Sequence, residues 1–209
     1  MTLSNDAHVC CYVVRHGRTT LNASGSFRGN VNPPLDSVGI QQAEKLAELF
    51  QDKDISAIFS SEKQRATKTA DTIAKGRSIP IHQSPNLTAL NVGNLSGQKR
   101  TPENITLLIS YLDNPESVIP GGESLNQFKS RVDPCIAQAI KIGLDCGCPA
   151  MIVAHSSIIR EVGSMVYGDH KKTLVEPGGA VAIYIKNGKY EAEPIYRPMT
   201  NAGKADTIS

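Results

Sequence analysis

Short apolar runs alternate with segments of helical periodicity along most of this chain of 209 residues. Runs such as Met151–Ala154 have the length and composition of buried strands, whereas apolar residues between 40 and 50 recur at the spacing of one helix face. This alternation favours an α/β fold, because a helix that follows a strand can cover the sheet. We therefore predict a three-layer α/β/α sandwich with a mostly parallel central sheet. In such sheets, ligands bind beyond the carboxyl ends of the strands.

These patterns predict six strands and five helices. Two capping boxes, Ser61 with Gln64 and Ser124 with Gln127, mark the beginnings of two helices. We expect residues 1–198 to form a single domain and the polar residues 199–209 to form a frayed, flexible tail. The predicted strands are Val9–Val14, Ile55–Phe59, Ile79–His82, Met151–Ala154, Ala180–Ile185 and Tyr190–Ile195, and the predicted helices span about 37–50, 61–74, 105–112, 124–142 and 158–166.

The composition is that of an ordinary globular protein, with 40% hydrophobic and 20% charged residues. The net charge of +2 is too small to indicate nucleic acid or a membrane surface as a partner. No apolar stretch approaches the length of a membrane-spanning helix, and the polar N-terminus has no signal-peptide pattern. The odd number of cysteines, five, does not suit a disulfide framework. We therefore expect a cytoplasmic protein with reduced thiols.

The first apolar run ends abruptly in Arg15, His16 and Gly17. These residues can be the polar end of a strand, His16 can be a hydrogen-bonded structural histidine, or the strand end can be a phosphate site. The run Met151–Ala154 ends in the same way, on His155. Two histidines far apart in sequence thus both follow predicted strands, where α/β sheets bind ligands. This coincidence favours the phosphate site.

Phosphoryl transfer to a histidine requires a neutral imidazole whose second nitrogen is held by a hydrogen bond. The phosphoryl oxygens require fixed cations and N–H donors, and arginine suits them because its planar fork binds two oxygens at once. Arg65 also follows a predicted strand. The candidates from this chemistry are His16, His155, Arg15, Arg65 and Asn22.

Five segments of the chain carry motifs in a fixed order, and together they extend from about residue 9 to residue 186. They are Arg15-His16-Gly17-x-Thr19-x-x-Asn22, then Phe27-Arg28-Gly29 with Pro34-Leu35-x-x-x-Gly39-x-x-Gln42-Ala43, Phe59-Ser60-Ser61-x-x-x-Arg65-Ala66-x-x-Thr69-Ala70, Pro120-Gly121-Gly122-Glu123-Ser124, and Val153-Ala154-His155-x-x-x-Ile159-Arg160. This series resembles the motifs of the histidine phosphatase superfamily, the phosphoglycerate mutase-like enzymes. A single Arg-His-Gly motif would be weak support, but five in order are strong.

The resemblance implies a phosphatase that needs no metal and no cofactor. His16 would be the nucleophile that becomes phosphohistidine. Arg15, Arg65 and His155 would surround the phosphoryl group, with His155 donating to its oxygens. The substrate would be a small phosphorylated molecule or a phosphoprotein. The expected substrate contacts are Asn22, Arg28, Gly17 and Ser156.

One family motif is incomplete in this chain. Members usually carry a general acid in a pattern like L-x-E-x-x-x-G-x-x-E-G, and the matching stretch here runs from Leu87 to Gly97. Ala89 stands at the position of the acid, and Ser96 replaces the second glutamate. A general acid contributes about 10²–10⁴-fold by protonating the leaving oxygen.

Three explanations remain open. The enzyme prefers good leaving groups such as a phenolate, an acyl phosphate's carboxylate or an imidazole; Glu123 supplies the missing acid; or the protein binds phosphate esters without turning them over. Glu123 has a simpler interpretation, because a negative charge just before the helix at Ser124 favours the helix dipole. A mutase is the nearest rival activity, and a metallohydrolase built on His16 and His155 is a weaker one.

Overall fold

The computed structural model describes residues 8–198 of the chain. Six strands form one mixed sheet: β1 (His8–Arg15), β2 (Ile58–Ser61), β3 (Ile81–Ser84), β4 (Ala150–Ala154), β5 (Ala180–Lys186) and β6 (Lys189–Tyr196). Their order across the sheet is β3-β2-β4-β1-β5-β6. The first four strands of this order pair in parallel, whereas β5 runs antiparallel to β1 and to β6.

Helices cover both faces of this sheet. Leu46 and Phe50 of one helix belong to the cluster on one face, and Phe128 and Val132 of another belong to the cluster on the opposite face. The helices within residues 8–198 are α1 (Thr20–Ala23), α2 (Ser37–Phe50), α3 (Gln64–Ala74), α4 (Pro102–Leu112), α5 (Leu125–Cys146) and α6 (Ser156–Tyr167).

The sheet is buried on both faces because its strands are apolar almost throughout. In β1, Val13 packs with α5 and α6, while Val14 packs with α2 and α3. All five residues of β4 are buried. This is the pattern of a parallel sheet between two helical layers, and the predicted α/β/α sandwich is confirmed.

A third, smaller apolar cluster lies beside the sheet. It joins Phe27, Val92, Leu95, Leu108 and Ile119. The cluster therefore connects the loop after β1, the loop after β3 and helix α4. These segments supply part of the cavity described below.

Several element boundaries differ from the prediction. The second strand spans Ile58–Ser61 instead of Ile55–Phe59, because Ile55 is buried without entering the ladder. The capping box predicted at Ser61 is wrong: helix α3 begins at Gln64, with Lys63 at the N-cap and no side-chain cap. Ser124 does cap α5 in a capping box, as predicted.

The last two strands form the predicted hairpin. Asn187 and Gly188 both have positive φ angles, 51° and 72°, which a two-residue turn of this kind requires. None of the helices within residues 8–198 is long and apolar enough to cross a membrane. The predicted tail 199–209 lies outside the described residues.

Candidate functional site

The two histidines named from the sequence meet at the carboxyl end of the sheet. His16 follows β1 and His155 follows β4, the parallel neighbour of β1. The backbone N–H of His16 donates to the carbonyl of Ala154 at 3.0 Å, which ties the two strand ends together. The centroids of the two rings lie 5.1 Å apart, with an angle of 65° between the planes.

The contacts of His16 define where its proton lies. Nδ1 lies 2.6 Å from the carbonyl oxygen of Gly17, so that Nδ1–H donates to it. Nε2 accepts a hydrogen bond from Nε of Arg65 at 3.2 Å and therefore carries a lone pair. Burial, together with the charge of Arg65, holds the pKa of His16 well below its ordinary value of 6.5. A neutral imidazole with an unprotonated Nε2 is the form that can act as a nucleophile.

Arg65 is fixed beside His16 by the first turn of α3. Its Nη1 donates to the carbonyl of Val31 at 2.9 Å, and its side chain is completely buried. Burial lowers the pKa of Arg65 to about 10, which leaves it charged at neutral pH. Within the described part of the chain, Nη2 of Arg65 is buried without a hydrogen-bond partner. One arm of the guanidinium is therefore available for an anion.

His155 is also buried and neutral. Burial, followed by the charges of Arg65 and Arg28, holds its pKa well below the ordinary value. Its Nε2 lies 2.9 Å from Oγ of Ser61 at the end of β2. Its Nδ1 is buried and has no hydrogen-bond partner among residues 8–198.

Asn22 contributes a third buried side-chain nitrogen that has no hydrogen-bond partner in the described chain. Its Oδ1 accepts from the backbone N–H and the hydroxyl of Thr19, both at 3.0 Å, and this orients the amide. Its Nδ2 then has no partner among the described residues. Leaving a buried donor unpaired costs about 1–3 kcal/mol, so a ligand that pairs with Nδ2 would recover that free energy.

A cavity opens at this end of the sheet. Four of the residues named from the sequence line it: Arg15, Arg28, His155 and Ser156. Nη1 of Arg15 donates to the carbonyl of Val175 at 2.8 Å, which holds its guanidinium in place. His16, Arg65 and Asn22 do not line this cavity.

Two further arginines that the sequence interpretation did not assign to the site, Arg100 and Arg160, also line the cavity. Arg160 lies four residues after Ser156 on α6, so the two share one helix face, and this spacing could have revealed it. Arg100 follows the segment Leu87–Gly97, and no sequence signal marks it. Among the described residues, those that line the cavity include no aspartate or glutamate.

Ala89 lines the same cavity, at the family's usual position for the acid. Glu123, the expected substitute, does not line it. Its Oε1 accepts from Asn91 N–H at 2.8 Å and from Nη2 of Arg131 at 2.6 Å, and its Oε2 accepts from Nε of Arg131 at 2.9 Å. These bonds occupy both carboxylate oxygens. The contacts therefore give Glu123 a structural role and do not favour it as the acid.

Arg131 connects Glu123 to the loop that carries Ala89. Its guanidinium also donates to three backbone carbonyls of this segment, those of Asn86, Thr88 and Ala89, at 2.8–3.0 Å. The loop is thus held by Arg131 of α5, which is itself paired with Glu123 in the segment just before that helix.

Gly17 has a packing reason for being glycine that the sequence interpretation missed. A Cβ on Gly17 would lie 2.3 Å from the carbonyl oxygen of Gly39. Its N–H donates to Oγ1 of Thr69 at 3.2 Å. The structure therefore shows Gly17 packed against α2 and α3, with its carbonyl orienting His16, and gives it no place in the cavity lining.

A family model for the histidine phosphatase superfamily, branch 1, matches residues 11–176. The chain belongs to the histidine phosphatase superfamily. The resemblance drawn from the five motifs is confirmed.

Individual proteins are similar to this chain over most of its length. "Probable phosphoglycerate mutase GpmB" of Yersinia pestis (strain Pestoides F) is 30% identical over 148 residues, which are 69% of this chain and 68% of that protein. The phosphoglycerate mutase of Bacillus anthracis str. Sterne superposes with a TM-score of 0.75 at 24% identity, over 91% of this chain and 94% of the other. The alpha-ribazole phosphatase of Shigella flexneri gives 0.72 at 23% identity, over 91% and 99%. The two superpositions show that the chain shares the fold of these two proteins.

No group of three or more potential metal ligands from His, Cys, Asp and Glu is found among residues 8–198.

Proposed function

We propose that this histidine phosphatase superfamily member hydrolyses phosphomonoesters or related phosphoryl compounds through a covalent phosphohistidine on His16. In the first step Nε2 of His16 forms a bond to phosphorus while the bond to the leaving oxygen breaks. The leaving group departs with the electron pair. Water then cleaves the P–N bond, which releases inorganic phosphate and restores neutral His16.

One observation carries this proposal: the candidate site combines a neutral histidine, His16, whose Nε2 is unprotonated, with three buried side-chain nitrogens that have no partner in the described chain. These groups are Nη2 of Arg65, Nδ2 of Asn22 and Nδ1 of His155. A phosphoryl group bonded to Nε2 would bring oxygens toward such donors. Preorganised donors of this kind are usually the largest source of rate acceleration in charge-developing reactions.

The leaving-group side supports a preference within this activity. Ala89 offers only a methyl group, and the residues that line the cavity within the described chain offer no carboxylate. Arginine cannot serve as the acid near neutral pH, because its pKa is too high. An alkoxide leaving group would therefore depart unprotonated, which is slow. We propose that the natural leaving group is a good one, such as a phenolate, a carboxylate of an acyl phosphate or an imidazole.

Phosphoglycerate mutase activity is the second candidate, and the names of GpmB and of the Bacillus anthracis structure favour it. A mutase must return the phosphoryl group to a hydroxyl oxygen and must therefore remove a proton from it. The water of hydrolysis also loses a proton, but a mutase must in addition take the phosphoryl group from an alkyl hydroxyl, and the departure of that group needs the acid that Ala89 does not provide. The cavity lining thus supports hydrolysis over transfer.

The proposed setting is the cytoplasm, with a small phosphorylated molecule or a phosphoprotein as substrate and no nucleic-acid or membrane partner. All five cysteines are unpaired, as is usual in a reducing compartment. The metal-independence that the family resemblance implies is part of the proposal and is tested with it.

The deciding experiment compares turnover of an aryl phosphate with that of a simple alkyl phosphate, in the presence of a chelator and beside His16→Ala. Fast aryl and negligible alkyl turnover, both abolished by the substitution, is the expected result. Comparable rates on both esters would show that another acid acts. If the wild-type protein turned over neither ester, the enzymatic proposal would be contradicted and binding of a phosphorylated ligand would be the remaining function. Activity that is lost in chelator would contradict metal-independence.

A further inference from the structure

Ser61 is a buried polar residue that the proposed reaction has not yet used. It is the last residue of β2, is fully buried, and its Oγ lies 2.9 Å from Nε2 of His155. The sequence pattern assigned Ser61 to the capping of α3, but that helix begins without it. Its hydroxyl lies within hydrogen-bond distance of His155 and caps none of the N–H groups inside α3.

The hydrogen bonds of Ser61 indicate which partner donates. A serine hydroxyl has one hydrogen to donate and two lone pairs to accept with. The backbone N–H of Lys63 donates to Oγ of Ser61 at 3.3 Å and occupies one lone pair. Among the hydrogen bonds of residues 8–198, Nε2 of His155 is the acceptor within reach of the hydroxyl hydrogen. A buried hydroxyl that donates there leaves no hydrogen unpaired.

We propose that Ser61 is a positioning residue that donates to Nε2 of His155 and thereby keeps the proton of this histidine on Nδ1. A neutral imidazole carries one proton, and the nitrogen that accepts a hydrogen bond cannot hold it. Nδ1 of His155 is the ring nitrogen that is buried without a partner in the described chain. The proposed tautomer makes it a donor.

The tautomer decides how His155 meets a phosphoryl oxygen. With the proton on Nδ1, a neutral His155 offers an Nδ1–H to the anion. With the proton on Nε2, Nδ1 would instead present a lone pair to the anion. His16 shows the same arrangement, since Arg65 donates to its Nε2 and Gly17 accepts from its Nδ1. The end of β2 would thus set the state of one histidine, and the first turn of α3 that of the other.

The catalytic consequence of this inference rests on the proposed function, but the tautomer itself does not. The experiment therefore combines long-range ¹H–¹⁵N NMR of the histidine rings with orthovanadate titration and aryl phosphate kinetics on the full chain. The test variant is Ser61→Ala. The matched control is Ser60→Ala, which removes a neighbouring, fully buried hydroxyl that donates to the carbonyl of Ser61 at 2.9 Å.

The wild-type spectrum is expected to show His155 protonated at Nδ1 and not at Nε2. Ser61→Ala is expected to lose this single tautomer, to bind vanadate on the order of tenfold more weakly and to lower kcat by a similar factor. Ser60→Ala is expected to keep the tautomer and the affinity. A purely structural role for Ser61 would alter stability without changing the tautomer.

A wild-type spectrum with His155 protonated at Nε2 would overturn the inference, and this outcome needs no variant to fold. The inference would also fall if Ser61→Ala kept both the Nδ1 tautomer and the vanadate affinity. Failure of the proposed function gives a different result: the expected tautomer and vanadate binding would be present, but neither ester would be hydrolysed.

Discussion

The two sides of the candidate site are built very differently. On the nucleophile side, His16, Arg65 and His155 are buried and oriented by strand ends and by the first turn of α3. On the leaving-group side, Ala89 lies on a loop that Arg131 holds by its carbonyls, and the described lining carries arginines without an acid. Under the proposed function, the site would receive a phosphoryl group but would offer no acid to protonate the group that leaves.

This difference separates two demands that a phosphatase site usually meets together. Stabilising the transferred phosphoryl needs fixed donors and cations, which buried sheet ends provide. Helping the leaving group needs a proton source, which a single side chain on a loop normally provides. A substitution on one side of the site can therefore be tested for its effect on the step that the other side supports.

Removing the nucleophile should have the largest effect. His16→Ala takes away the atom that forms the covalent bond, and we expect aryl phosphate turnover to fall by on the order of 10⁴–10⁶-fold. Steady-state kinetics in a chelator would measure it. The control is His8→Ala, an exposed histidine at the beginning of β1. Turnover that survived in His16→Ala would mean that water attacks phosphorus directly.

The pH dependence of stability tests the nucleophile side without a substrate. Because the pKa values of His16 and His155 are held well below 6.5, the unfolded chain binds protons near pH 6 that the folded chain does not. The free energy of unfolding should therefore rise with pH up to about 6.5 and then level off. We expect each histidine to contribute about 1.4 kcal/mol per pH unit below that value.

Urea unfolding of the wild-type protein and His16→Ala between pH 7 and pH 5.5 isolates the contribution of one histidine. The variant should show the shallower dependence. Equal slopes would indicate that His16 binds its proton equally well in the folded and unfolded protein, which would contradict the lowered pKa of the folded state.

Restoring an acid should change the leaving-group side alone. We expect Ala89→Glu to raise alkyl phosphate turnover by about 10–100-fold, less than a native acid provides, and to leave aryl turnover nearly unchanged. The gain should be larger at acidic pH, because the arginines of the cavity favour the ionised carboxylate and a general acid must be protonated.

Ala89→Gln is the matched control, since it has the same length and cannot donate a proton as an acid. An equal gain in Ala89→Gln would show that size or hydrogen bonding, and not acidity, limits the wild-type site.

The smallest expected effect concerns Glu123. Glu123→Gln breaks a largely buried pair with Arg131, and we expect a loss of about 1–2 kcal/mol in stability. The ratio of aryl to alkyl turnover should stay constant, because Glu123 does not line the cavity. Thermal unfolding and the two rates would be compared with Glu103→Gln, an exposed glutamate. A selective loss of alkyl turnover would instead identify Glu123 as the acid.

The sequence predicted the fold and the meeting of the two histidines because both follow from local patterns. Apolar runs fixed the strands, and the rule for strand ends placed His16 and His155 at one edge of the sheet. Strand boundaries do not follow from the same patterns: Ile55 is apolar and buried, so the sequence gives no sign that it lies outside the paired strand.

Other features depend on contacts that no local pattern records. Ser61 has the spacing of a capping box, yet a residue 94 positions away binds its hydroxyl. Glu123 precedes a helix, and its pairing with Arg131 becomes visible only when the turns of α5 and the loop before them are placed together. The position of Arg100 in the cavity likewise depends on the packing of the loop against Phe27, over whose ring the guanidinium lies at 5.4 Å.

The most direct measurement is to trap the phosphoenzyme. The protein would be mixed with an aryl phosphate and denatured at alkaline pH, where phosphohistidine persists, and the phosphorylated peptide would be mapped by mass spectrometry. The account predicts a single phosphoryl group on His16, absent in His16→Ala. Phosphorylation of another residue, or continued turnover with no phosphorylated residue under single-turnover conditions, would contradict covalent transfer to His16.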